Sequence, residues 1–272
     1  MAQVVALYRF PVKGFTQESV SELRVQPDGR IEGDRAFSFR YASGVAPRER
    51  AGMQLWSKSK GLTRMEFPSL AALRLTLLPD GGGIRILRGD DGPELVSGPL
   101  DEAGRRAIAD AVTEYLLAGP EAAHLSAPGR LPLTLMGTTG ESRFQDNPEG
   151  FISMHSRESL AALGDALGQE ISDDRFRSNI AISGVSAWEE ISELSAVRIG
   201  DVHFAPQEPI GRCLNTHANP ETGVRDAEVL TTLTRVIGQS QPTFGRFLLP
   251  VGLGAPDAGG VIRVGDEVEL VS

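Results

Sequence analysis

The sequence predicts a mainly β fold with peripheral helices (α+β). Three observations carry that prediction. Short stretches rich in β-branched, aromatic and leucine residues recur between tight turns. Few stretches repeat apolar residues at helical spacing. Neither a G-x-G-x-x-G fingerprint nor a Walker loop is present, so nothing signals a nucleotide-binding α/β sheet. Many short strands with tight turns and few helices point to a β-barrel core.

Residues 4–10, 35–41 and 70–78 read as strands. Asp80-Gly-Gly-Gly83 is a turn, and residues 84–87 form the return strand. Asp101 has the chemistry of an N-cap. After it Ala103, Ala107, Ile108, Ala111, Val112, Tyr115 and Leu116 recur at helical spacing, until Gly119-Pro120 ends the helix. A stretch rich in Gly, Pro and Ala near 118–130 places a boundary between residues 1–118 and 119–272.

The second part opens with a loop over 137–150. A short helix follows over 157–167, capped by Ser156 and stopped by Gly168. Residues 179–183 read as a buried strand. Two similar stretches, Val197-Arg-Ile-Gly-Asp-Val202 and Ile262-Arg-Val-Gly-Asp-Glu-Val268, each read as strand, Gly-Asp turn, strand. Between them Asp226 is placed to cap a helix with Val229, Leu230, Leu233, Val236 and Ile237 on one face.

The bulk properties bound the function. At 272 residues a substantial core is available. A net charge of −9 argues against nonspecific binding to nucleic acid or anionic membrane. No apolar run approaches the roughly 20 residues of a membrane span. The N-terminus lacks the basic region and long apolar stretch of a signal peptide, so a cytoplasmic location is expected. Of the 27 basic residues only Lys13, Lys58 and Lys60 are lysines, so each arginine must be judged by its surroundings.

Cys213 is the only cysteine, in Pro209-Ile-Gly-Arg-Cys-Leu-Asn-Thr216. One thiol makes no internal disulfide, iron–sulfur cluster or structural zinc site, all of which need several ligands. It is a reactive thiolate, a single ligand to a cofactor metal, or a small buried hydrophobe. Gly211 lets the backbone approach something closely, and Arg212 supplies a charge that favours thiolate. Polar Asn215, Thr216 and His217 speak against an apolar core strand. Elsewhere, cations and an amide sit at strand ends: Pro11-Val-Lys-Gly14, Gly33-Asp-Arg35 and Phe176-Arg-Ser-Asn-Ile180. Alone, each ordinarily just keeps a strand edge solvated.

Together these motifs resemble the MOSC-domain family, named for the molybdenum cofactor sulfurase C-terminal domain. Tyr8-Arg-Phe-Pro-Val-Lys-Gly14, Gly33-Asp-Arg-Ala-Phe37 and Leu62-Thr-Arg-Met-Glu-Phe-Pro-Ser-Leu70 resemble its N-terminal β-barrel module. Arg175-Phe-Arg-Ser-Asn-Ile180, Ile199-Gly-Asp201, Arg212-Cys213, Asn219-Pro-Glu-Thr-Gly223, Phe244-Gly245 and Ile262-Arg-Val-Gly-Asp266 resemble the MOSC domain itself. In architecture the chain is similar to the mitochondrial amidoxime-reducing component and to bacterial reductases of N-hydroxylated compounds.

The resemblance implies a molybdenum cofactor held by a pterin dithiolene, and a small-molecule substrate whose N–O bond is reduced. Cys213 would be the metal ligand and catalytic residue, consistent with molybdenum's taste for soft sulfur. Lys13, Arg35 and Arg177 would contact the pterin phosphate or its neighbours, and a phosphate suits Lys and bidentate Arg. Asn179, Gly211 and Arg212 would line the site. Asp146, Asn147, His155 and Ser156 would border it, with backbone donors at the helix start after Ser156. Gly14 and Gly211 stand where the family often has serine, which removes two hydroxyl donors. Some relatives append a [2Fe–2S] domain needing four cysteines, so electrons are expected from a separate donor protein. A monomer is also implied. Two other functions fit the same residues: a sulfur carrier with a persulfide on Cys213, and a non-catalytic protein that binds or delivers the cofactor.

Overall fold

The computed structural model describes residues 1–50, 53–138, 144–145, 152–252 and 254–272. The first part of the chain supplies β1 (Ala2–Arg9), β2 (Glu18–Val20), β3 (Glu22–Val25), β4 (Phe37–Arg40), β5 (Arg48–Arg50) and β6 (Met53–Leu55). It continues with β7 (Leu73–Leu77), β8 (Gly83–Arg88), β9 (Glu94–Pro99), α1 (Glu102–Leu117), α2 (Ala122–Leu125) and β10 (Thr134–Gly137). The second part supplies β11 (Ile152–Ser156), α3 (Arg157–Leu167), β12 (Ile180–Ser183), β13 (Ala196–Ile199) and β14 (Val202–Gly211). It closes with α4 (Val229–Thr231), β15 (Thr243–Pro250), β16 (Gly260–Arg263) and β17 (Glu267–Val271). Strands outnumber helices, as expected for a mainly β chain.

Seven strands close a barrel in the order β12, β11, β15, β14, β13, β17, β1 and back to β12. Only β11 and β12 run parallel within it. Inward residues alternate along the strands, so Ile152 and Met154, Ile180 and Ile182, and Val197 and Ile199 fill the interior with Val4, Leu7, Phe204 and Leu248. A second core lies under β4, β10 and the sheet of β7, β8 and β9. There α1 buries Ile108, Val112 and Leu116, and Phe15 stacks on Phe39 at 5.0 Å. Among the described residues no helix is long and apolar enough to cross a membrane.

The two cores are not each built from one continuous stretch of chain. β1 pairs with β12 through Leu7 and Ile180, and with β17 through Ala2 and Val268. β3 pairs with β16. Leu23, Val25 and Ile31 accordingly pack in the barrel core, not with the N-terminal module. The Gly, Pro and Ala-rich stretch is a connection within the first core: Leu125 and Leu133 are both buried in it.

Local signals were accurate where neighbours satisfy each other. The Asp101 carboxylate accepts from the Gly104 N–H at 2.7 Å, and Ser156 accepts from the Ser159 N–H at 3.0 Å. Gly168 stops α3 in left-handed conformation, φ 68°. The helical face of α1 is corrected: Gly104 and Ala109 are buried while Ala103 and Ala107 are exposed. Both Gly-Asp stretches are strand, turn, strand as expected, but they pair differently: β13 and β14 form a hairpin around Gly200-Asp201. Around Gly265-Asp266, β16 pairs with β3 and β17 with β13 and β1. One further expectation is overturned. Asp226 caps no helix; its carboxylate is taken by Arg175 and Asn219, and the helix behind it is a short α4 followed by a π turn over Thr232–Val236.

Candidate functional site

Cys213 sits where β14 leaves the barrel. The β14–β15 register is irregular between Pro206 and Pro209 and again between Pro209 and Gly211, so the strand end tilts out of the sheet. The Arg212 N–H still bonds to the Pro242 carbonyl at 2.8 Å. Cys213 then leads into a 3-10 turn, Leu214–His217, closed by the Thr216 N–H and hydroxyl on the Cys213 carbonyl at 3.1 and 2.9 Å. The thiol is exposed. It faces a cavity of about 380 Å³ whose walls include Arg35, Arg175, Arg177, Gly211, Arg212, Ile210, Thr216 and Phe247.

Two of the arginines are turned inward. Arg212 donates to the Phe176 carbonyl at 2.9 Å and twice to that of Phe244, once at 2.8 Å. Its guanidinium lies over both rings, which stack on each other at 3.8 Å. Burial pulls its pKa down to about 9, with Cys213 opposing the fall. Arg175 is buried and donates to the His217 carbonyl at 3.0 Å and to Asp226 at 2.7 Å. Burial pushes the Asp226 carboxyl up, but hydrogen bonds from Asn219 and Arg175 and the Arg175 charge hold it below the usual range. The loop after Cys213 is thereby fastened from below. Its Gly223, φ 75°, lies so near the N-terminal module that a Cβ would meet the Pro68 carbonyl at 2.5 Å.

The other two arginines are presented differently. Arg35 and Arg177 have φ of 49° and 53°; among the described residues only Trp188 is the other non-glycine with positive φ. Such conformations cost of order 1–3 kcal/mol each and cluster at functional sites. The Arg35 N–H bonds to the Phe10 carbonyl at 2.6 Å, and its guanidinium pairs with Asp34 and reaches the Arg177 carbonyl at 3.4 Å. Arg177 donates to the Phe15 carbonyl at 3.4 Å. Both guanidiniums lie over the ring of Phe10, at 4.7 and 4.9 Å.

Of the residues singled out in the sequence, Arg35, Arg177, Gly211, Arg212 and Cys213 therefore come together. Lys13, His155, Ser156 and Asn179 are buried and do not line the cavity. Asn179 is committed elsewhere: its amide oxygen accepts from Ser153, and its amide nitrogen donates to the Tyr8 carbonyl and Asp34. The Ser156 hydroxyl bonds to Glu190 as well as Ser159, so a built-in carboxylate already answers the N-terminus of α3. His155 is fully buried, 3.6 Å from Asp173, and its burial holds the imidazole below its ordinary pKa despite that carboxylate. Asp146 and Asn147 lie outside the described residues. Sequence reading missed Arg175 and Thr216. Both stand inside motifs already noticed, but only the fold shows that one ties down the loop of the other.

The glycine departures have separate causes. Gly14 has φ 87°, and a Cβ there would meet the Leu62 carbonyl at 2.9 Å, so serine is disfavoured. Gly211 has no such need: a Cβ would have nothing within 4 Å, which leaves open floor beside Cys213. Among the described residues no three His, Cys, Asp or Glu gather into a metal cage. The donor set is one thiol and several cations, which fits a metal that brings its other ligands with it on an anionic cofactor.

Comparison with known proteins agrees with this geometry. Residues 1–115 match the MOSC N-terminal beta barrel domain, and residues 141–269 match the MOSC domain. The chain is 32% identical over 127 residues to mitochondrial amidoxime reducing component 2 of Rattus norvegicus, covering 43% of this chain and 36% of that protein. It is 36% identical over 126 residues to mitochondrial amidoxime-reducing component 1 of Mus musculus, covering 43% and 35%. It is 38% identical over 81 residues to molybdenum cofactor sulfurase of Drosophila grimshawi, covering 30% and 10%. These matches thus span about a third of the first two relatives and a tenth of the third. With both domain matches in sequence order, the chain belongs to the MOSC-domain family, a MOSC N-terminal beta barrel domain preceding the MOSC domain.

Proposed function

We propose that the protein binds the molybdenum cofactor at Cys213 and reduces N-hydroxylated compounds, with electrons from a separate donor protein. The observation that carries this reading is the meeting of an exposed lone thiol with two arginines held in left-handed backbone. Strain of that kind persists where surrounding structure enforces it for a purpose. The amidoxime-reducing relatives supply the reaction class.

In this reading the Cys213 sulfur is the protein's ligand to the metal, and Arg35 and Arg177 hold the cofactor's phosphate. Arg175 and Arg212 keep the cysteine segment still through their carbonyl bonds. When bound, the cofactor supplies the two-electron redox centre. The net reaction consumes two electrons and two protons and turns an N–OH group into N–H and water. Open floor at Gly211 and apolar walls at Ile210 and Phe247 leave room for a small organic substrate.

The test is molybdenum content by elemental mass spectrometry in wild type and Cys213→Ser, expressed in a host that makes the cofactor. Near-stoichiometric metal that falls at least tenfold in the variant, together with amidoxime reduction that falls alike, supports the reading. Metal-free wild type overturns it. The match to a molybdenum cofactor sulfurase favours one second reading, a persulfide carried on Cys213. Mass spectrometry showing 32 Da added at Cys213 in metal-free protein selects that one.

A further inference from the structure

Phe10 is 1% exposed, yet it touches the cavity's chemistry through two other residues. The guanidiniums of Arg35 and Arg177 lie 4.7 and 4.9 Å from its ring centroid. Its backbone is fixed as firmly. The Phe10 N–H donates to Asp34 at 2.8 Å, and its carbonyl accepts from the Arg35 N–H at 2.6 Å. Two cations this close to one centroid stand within about 10 Å of each other and repel. Asp34 answers one side of Arg35. An aromatic face attracts a guanidinium without adding negative charge.

We propose that Phe10 is a positioning residue that holds Arg35 and Arg177 as a preorganised pair for one doubly charged group, a phosphate monoester. It deepens the proposed function and rests on its reading of Arg35 and Arg177 as phosphate contacts. The two arginines lie 142 residues apart in the chain, and the ring is their common surface. Holding both before the ligand arrives lowers the ordering cost of binding.

The experiment is calorimetric titration of the full chain, prepared without cofactor, with inorganic phosphate. Phe10→Leu keeps an apolar side chain but removes the π face, and phosphate binding is expected to weaken about tenfold, the effect of two cation–π contacts of ordinary strength. Phe10→Tyr keeps the face and is expected within about twofold of wild type. In an Arg177→Met background the Phe10→Leu step should shrink to about threefold, since only the Arg35 contact is left to lose. Should Phe10→Leu fail to fold, Phe10→Met reads the same loss with a more adaptable side chain.

The inference is overturned if wild type binds no phosphate or if Phe10→Leu binds as well as wild type. A tyrosine variant as weak as the leucine one, or an undiminished step in the Arg177→Met background, shows a packing role and overturns it too. Expected phosphate results with a metal-free wild type from the cofactor-making host sink the proposed function alone. Metal in wild type with an unaffected Phe10→Leu sinks this inference alone.

Discussion

The two sides of the Cys213 cavity use one residue type for opposite purposes. On one side Arg175 and Arg212 turn inward and spend their donors on carbonyls and Asp226. On the other, Arg35 and Arg177 hold left-handed backbone and lie over one ring. The first pair stabilises the chain around the thiol. The second is maintained at a conformational cost, which under the proposed function a ligand offsets. In a chain with 24 arginines, charge alone does not separate these two pairs; backbone conformation and committed hydrogen bonds do.

That contrast is open to experiment. Arg212→Met should be the most damaging change, because the buried Phe176 and Phe244 carbonyls lose their donor at about 1–3 kcal/mol each. A loss of about 3 kcal/mol in urea unfolding is expected, and a loss below about 1 would place Arg212 on the ligand side instead. Arg175→Met should cost less, about 2 kcal/mol, and should speed hydrogen exchange in the segment 214–226 specifically. Uniform exchange there would show that the loop is held by other means.

Acid should weaken the molecule through His155, which faces Asp173, Arg157 and Glu190 from full burial. Its folded pKa lies below its unfolded value of about 6.5, so the unfolded chain takes the proton first. The contribution is therefore complete above pH 6.5 and is lost as pH falls, at up to about 1.4 kcal/mol per unit. His217, lowered by burial, adds in the same direction. His155→Leu should flatten the slope of stability between pH 6.5 and about 5, and an unchanged slope would assign it elsewhere. Smallest in stability and sharpest for the comparison are Arg35→Gly and Arg177→Gly. Relief of the left-handed backbone offsets lost contacts, so both should stay within about 1 kcal/mol of wild type. Their molybdenum content, under the proposed function, should fall at least tenfold. Strong destabilisation would mean these arginines too are structural.

What the sequence made legible was local or already paired within a motif. α3 could be placed end to end because Ser156 and Gly168 act on their own neighbours. The pairing at Cys213 of arginine and thiol was readable, and so were the two strand ends that deliver Arg35 and Arg177. Pairing at a distance was not. The Gly-Asp turns at 200–201 and 265–266 have near-identical flanks, yet one closes a hairpin and the other passes between sheets. The difference lies in which strands wait on either side of the second turn, β3 for β16 and β13 with β1 for β17. Asn179 and Ser156 read as ligand contacts because polar residues beside a site look alike in sequence. Their partners, Ser153, Asp34 and Glu190, are supplied by segments far along the chain.

The pairing of β1 with β12 and β17 has a consequence for how the protein comes into being. Residues 2–9 leave the ribosome well before their partners at 180–183 and 267–268, which are made some 170 and 260 residues later. β2 is at hand early for Leu7–Arg9, but at about 5–20 residues per second the residues of β1 that β12 and β17 will pair stay bare for roughly ten seconds or more. Throughout that interval the first strand is a sticky template in a crowded cell. The end of that strand carries the Arg9–Glu18 ion pair, and charge of this kind discourages an edge from finding another chain's.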